Sequence, residues 1–193
     1  MKTKTKALVL SFCAVLLVVT TAMVTMAFLT STDSVKNTFT VGKVAITLDE
    51  AAVKTDGTYK SDVHERVKAN EYKLIPGHTY IKDPVVHVDE QSEDCWLFVK
   101  LENGLKDVIA DATIETQMAN NGWTLVAGQT NVYAYNAKVS ANEDVEVFKS
   151  FTVKGTATDL STYKDQKIIV TACAVQADGF DTAAAAFSAV TFG

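Results

Sequence analysis

Three histidines, two cysteines beyond the leader and one dense acidic run are the groups in this 193-residue chain that could do chemistry. The histidines would serve as metal ligands or proton carriers. A zinc protease of the HExxH kind needs two of them four residues apart on one helical face. His64-Glu65-Arg66-Val67-Lys68 supplies the first half of that motif and puts a lysine where the second histidine belongs. His78 follows the turn dipeptide Pro76-Gly77, and His87 alternates with Val86 and Val88, so both read as exposed or half-exposed strand residues. The run Asp89-Glu90-Gln91-Ser92-Glu93-Asp94 offers carboxylates but lacks the spaced D-x-D-x-D-G pattern of a calcium loop, and a solvated turn explains it more simply. Trp123, Tyr133 and Tyr135 could line a carbohydrate face; aromatics in strands are more often core or cross-strand partners. The chain has no GxSxG, P-loop or GxGxxG motif. No catalytic residue, metal ligand or cofactor site is therefore expected.

Cys13 lies in the leader, which leaves Cys95 and Cys173, both inside strand-like runs. Outside a cell they could pair, and closing so long a loop would be worth about 4 kcal/mol in the chain-entropy model. Two buried thiols acting as small hydrophobes are the alternative. Spacing alone leaves both open.

The leader itself is the strongest signal. Lys2, Lys4 and Lys6 precede a span without charge that lasts until Asp33, and its centre, Ala7 to Val19, has the length of a secretory h-region. Thr25 and Ala27 suit the small subsites of a signal peptidase, which places the cut between Ala27 and Phe28. An uncleaved anchor is the other reading, because the uncharged span could cross a hydrocarbon layer of about 30 Å. Both readings put the folded part outside the membrane; on the cleaved reading the membrane is met only during export. Loss of residues 1–27 removes three lysines and no acid, taking the formal charge from −5 to −8. So acidic a surface argues against nucleic acid as a partner.

The remaining elements are β-strands. Val44, Ile46 and Leu48 alternate along Lys43–Asp49, and Cys95, Leu97, Val99 and Leu101 alternate along the run that begins at Cys95. Trp96 and Phe98 make the other face of that run apolar too, which predicts a central strand. Lys167–Gln176 is β-branched on both faces and is also predicted to be central. Further strands are expected at 73–75, 79–82, 85–88, 123–126, 131–135 and 145–153. Short helices are expected at 112–120 and, capped by Asp181, at 183–187, with one more turn at 159–165. The fold class is all-β: an antiparallel, jelly-roll-like β-sandwich over 43–193 with short helical insertions, preceded by the signal segment 1–27 and an arm at 28–42.

That arm is unusual. Phe28 to Val41 reads FLTSTDSVKNTFTV, without glycine or proline and rich in threonine. It would be the first strand of its own sheet, a frayed terminus, or a strand added to the sheet edge of a neighbouring copy. Repeated head to tail, the last arrangement gives a filament.

Several segments in order carry a family likeness: Met26-Ala27-Phe28-Leu29-Thr30, Asn37 to Gly42, Val44 to Leu48, Leu74 to Pro84, Ser92 to Lys100 and Ala174 to Phe180. With them the chain resembles the TasA/camelysin family of secreted Gram-positive proteins. The resemblance implies processing by a signal peptidase of the SipW type, a jelly-roll fold, and biofilm-matrix fibres in which each N-terminal strand completes the next subunit's sheet. Carried onto this chain, Phe28, Leu29, Val35, Phe39 and Val41 would be the interface residues of the donor arm, and other copies of the chain the partners. Camelysin-like members of the family are described as surface metalloproteases, an activity for which no zinc motif stands here. A monomeric adhesion or binding module on the cell surface is the third reading.

Overall fold

The computed structural model describes residues 3–6, 9–16, 42–62, 65–110 and 113–192. The chain divides into two units, Met1–Thr40 and Val41–Gly193. In the first, residues 3–6 and 9–16 are helical, with Leu10, Phe12 and Val15 exposed. Among the described residues no helix is long and apolar enough to cross a membrane.

The second unit is mostly antiparallel β-sheet. Its strands are β1 (Ile46–Ala51), β2 (Arg66–Val67), β3 (Thr79–Ile81), β4 (Val85–Val88), β5 (Cys95–Asn103), β6 (Trp123–Leu125), β7 (Val132–Tyr135), β8 (Asp144–Glu146), β9 (Ser150–Thr152) and β10 (Ile168–Gln176). One sheet has the order β2-β1-β4-β8, a second β10-β5-β7-β6, and β3 pairs with β9 alone. The alternation along β1, β4, β5 and β10 puts Leu48, Val86, Leu97, Val99 and Val170 into one core shared by both four-stranded sheets. Tyr80 and Phe151, stacked at 5.1 Å on the β3–β9 pair, extend that core.

Three local outcomes differ from the alternation pattern, each for a physical reason. The expected strand 145–153 is two strands in different sheets, bent between Glu146 and Ser150. Pairing continues through the bend, where Val147 N–H donates to the Pro84 carbonyl and Lys82 N–H to the Lys149 carbonyl. Residues 73–75 are not a strand, because the Tyr80 hydroxyl takes over their backbone: it donates to the Lys73 carbonyl and accepts from Ile75 N–H. The helix Ala183–Ala186 is capped by Thr182, not Asp181; Thr182 Oγ1 accepts from Ala185 N–H at 3.2 Å.

Gly57 is a position that only glycine fits. Its φ is +78°, and a Cβ there would stand 2.8 Å from the Tyr80 Cα.

The sheet register also decides the cysteines. Cys95 pairs with Gln176 and Cys173 with Phe98, so Cys95 faces the shared core while Cys173 shares the other face with Trp96 and Phe98. Both thiols are free. The Cys95–Cys173 bond entertained from the sequence is not formed, since two side chains on opposite faces of one sheet cannot meet.

Candidate functional site

β10 is the strand whose surroundings depart furthest from expectation. Both its faces are partly covered, one by the shared core and the other by a second cluster in which Trp96 and Phe98 of β5 meet Ala177, Ala186 and Phe187 of the C-terminal segment. Yet it stands at the edge of its sheet, bonded only to β5. Its phase follows from two flanking bonds, Ala177 N–H to the Asp94 carbonyl and Gly104 N–H to the Lys167 carbonyl. Ile169, Thr171, Cys173 and Val175 therefore point their backbone groups at β5. Ile168, Val170, Ala172, Ala174 and Gln176 point theirs away, and these find no backbone partner among the described residues.

β1 repeats the pattern on the other sheet. Asp89 N–H donates to the Ala45 carbonyl, so Ile46 and Leu48 present their N–H and C=O groups away from β4. β2 pairs only with Glu50 and Ala51, beyond that stretch. Of the outward groups, the Leu48 carbonyl is taken by Lys68 Nζ at 2.7 Å. β1 and β10 approach each other along this margin. The core side chains there, Val44, Ile46, Leu48, Val170, Ala172 and Ala174, are only partly buried. Among the described residues, two strand edges without backbone partners thus flank a partly buried strip of core.

The opposite margin is closed along β8. There Trp123 Nε1 donates to the Glu146 carbonyl at 2.9 Å, and Asn121 Nδ2 to the Glu146 carboxylate at 3.0 Å and the Val147 carbonyl. Gln117 Oε1 accepts from Lys149 N–H and Ser150 N–H. Side chains of the helix Thr113–Asn120 and of β6 so occupy the edge of β8 that a further strand would use.

The residues singled out for chemistry fall elsewhere. Ala27, Phe28, Leu29, Val35, Phe39, Val41 and His64 lie outside the described residues. His78 is half-buried against Tyr80, its Nε2 on the Asp56 carbonyl. Asp89 to Asp94 form the turn between β4 and β5, with Ser92 Oγ accepting from Ala45 N–H. Trp123 is buried and tilted on Tyr135, its cross-strand partner.

His87 is the exception. Its Nδ1 lies 2.6 Å from Asp144 Oδ1 and its Nε2 2.9 Å from Asp49 Oδ1. Two carboxylate acceptors need two ring N–H donors, which only the charged imidazolium has. Desolvation opposes that charge, but the hydrogen bonds to Asp49 and Asp144 outweigh it and raise the His87 pKa above its ordinary value. Asp49 is in turn shared with Arg66, whose Nε donates at 2.7 Å while Nη1 reaches Asp83 at 3.0 Å. This network pins β2 to β1 and to the bend before β4. In the sequence Arg66 stood out only as a filler of the incomplete HExxH.

Zinc is poorly served by these groups. Among the described residues no three His, Cys, Asp or Glu side chains converge as a metal site. Asp49 is engaged by Arg66 and His87, and both ring nitrogens of His87 are spent on carboxylates.

No family model, curated protein or solved structure matches the chain.

Proposed function

We propose that this chain is a secreted structural subunit of extracellular matrix fibres, a jelly-roll-like sandwich that polymerises by strand donation. After cleavage between Ala27 and Phe28, the arm 28–42 of one copy lies along the open margin of the next. The observation that carries this reading is the outward backbone row of β10, from Ile168 to Gln176, above partly buried core side chains. A donated strand there would satisfy the row, at about 0.5–1.5 kcal/mol net per hydrogen bond, while its alternate side chains cover Val170, Ala172 and Ala174. Trp123 and Asn121 close the β8 edge, which leaves the nine-residue β10 as the longest unpaired edge among the described residues; one such acceptor per subunit gives a linear polymer. The likeness to TasA/camelysin proteins fits the same arrangement.

The test combines three proteins under electron microscopy and sizing. Chain beginning at Phe28 should form threads, and chain lacking 28–41 should stay monomeric. Ala172→Pro is the sharper probe. The Ala172 N–H points away from β5, so proline there spares the domain's own ladder and blocks only an incoming strand. Threads from the folded Ala172→Pro protein, or from the armless chain, would sink the reading.

A further inference from the structure

Glu50, Lys82 and Asn70 form a cluster on the opposite side of β1 from the chemistry discussed so far. Glu50 lies near the end of β1, Lys82 follows β3 and Asn70 follows β2. Lys82 Nζ donates to Glu50 Oε2 at 2.5 Å, and Asn70 Nδ2 to Glu50 Oε1 at 2.9 Å. Glu50 is 5% exposed and Lys82 8%. A single buried carboxylate thus holds an amine on one oxygen and a carboxamide on the other. The Asn70 carbonyl oxygen accepts from Val53 N–H at 2.9 Å, and Nδ2 donates also to the Ala51 carbonyl at 2.9 Å. Tyr72, its hydroxyl on the Ile81 carbonyl, stands beside Glu50 and Asn70.

We propose that this cluster performs a self-catalysed amide transfer that joins Lys82 Nζ to Asn70 Cγ as an intramolecular cross-link. A side-chain amide is a poor electrophile, and its replacement by an amine needs three aids. These are a base for the nucleophile, a donor for the oxygen that gains charge, and an acid for the leaving nitrogen. Each has an occupant here. Glu50 takes a proton from the Lys82 ammonium, leaving a neutral amine whose lone pair attacks Asn70 Cγ. Charge gathers on Asn70 Oδ1, where Val53 N–H already points. Glu50 returns its proton to Asn70 Nδ2 and receives one from Nζ as the Cγ–Nδ2 bond breaks. The Nζ–Cγ bond has formed, ammonia has left, and one proton remains on Glu50 or departs with the ammonia. No oxidant, reductant or cofactor enters.

Burial favours this outcome twice. It holds Glu50 and Lys82 in place, largely screened from water, against the half-buried Asn70. It also makes an ammonium–carboxylate pair costly to keep, and a neutral amide in place of the ammonium removes that cost. The cross-link would lock the segment that runs from Asn70 through the Pro76-Gly77 turn and β3 to Lys82 onto the end of β1.

Intact-mass spectrometry of the purified, folded full-length chain decides the matter, with the N-terminus read from the same spectra so that leader removal is accounted for. The expected mass is lower than the sequence mass by one ammonia, with a branched peptide joining Lys82 to Asn70. Glu50→Gln keeps the size of the side chain but cannot shuttle protons, and should retain the full sequence mass; so should Lys82→Arg. A folded wild-type chain at its full sequence mass overturns the proposal however the variants behave. A mass loss that persists in Glu50→Gln overturns the role assigned to Glu50.

Discussion

Trp123 Nε1 donates to the Glu146 carbonyl across the two sheets, and this contact makes one margin of the fold unlike the other. Trp123 belongs to β6 and Glu146 to β8, the last strands of their respective sheets. On the other side of the two sheets, β10 and the Ile46–Leu48 stretch of β1 that β2 does not reach have no such tie among the described residues. The β8 edge is blunted by side chains, whereas the outward row of β10 meets no backbone partner among those residues.

If the tie is structural, its loss should be read in stability and not in assembly. Trp123→Phe removes the hydrogen bond and should cost about 1 kcal/mol. Trp123→Ala also opens a cavity and should cost roughly 3–5 kcal/mol. Urea titration checks both, through a lowered midpoint at unchanged slope. Neutral behaviour of Trp123→Ala would mean that the margin is held shut by other contacts.

Amide exchange should alternate along β10. Ile169, Thr171, Cys173 and Val175 donate into the β5 ladder and should be protected in the monomer. Ile168, Val170, Ala172, Ala174 and Gln176 should exchange quickly there and slowly in threads. Residue-resolved exchange by NMR measures this, and uniform protection of the monomer would indicate that the edge is already filled.

Folding stability should depend on pH through His87. Its folded pKa is raised, so its contribution is complete below the unfolded value of about 6.5 and fades as pH climbs through the higher folded value. Asp49 works in the other direction. Burial opposes its charge, but the hydrogen bonds from His87 and Arg66 win and lower its pKa, so its contribution is lost as pH falls below about 3.8. Thermal melts should therefore weaken on the alkaline side of about pH 6.5, and His87→Gln should flatten that limb. A limb of equal slope in His87→Gln would assign the dependence to another group.

The two core-domain thiols should remain titratable and differ in reactivity. Cys95 is fully buried, and burial, with Asp94 and Glu143 nearby, pushes its thiol up to about 11. Cys173 is only partly covered by the C-terminal segment. A thiol reagent on the native protein should label Cys173 first and Cys95 only on unfolding. Joint resistance of both under denaturing, non-reducing conditions would reveal a bond that the sheet register forbids.

Much of this architecture was legible in the residues. Period-two alternation located β1, β4, β5, β7 and β10, because a half-buried strand must place every second side chain in the core. The turn at Pro76-Gly77 was equally plain, and Gly77 adopts the positive φ that it requires, +74°. What alternation cannot report is the edge of a strand. Lys167–Gln176 is apolar on both faces, and so is the run from Cys95 to Leu101; one lies at a border and the other in the middle. Side chains record what covers the faces of a sheet, whereas pairing runs through backbone groups that every residue carries alike.

Composition and local pattern thus determined that the chain has an apolar N-terminal stretch, an acidic remainder and a β-rich domain, since these follow from residue type and its period. Tertiary structure alone decided that Cys95 and Cys173 face apart, that Arg66, Asp49 and His87 meet, and that Glu50 gathers Lys82 and Asn70. The contacts among them join residues 17 to 38 positions apart in sequence, fixed by register and by bends that no local window contains. The same holds for the open margin, which exists only where two sheets end side by side.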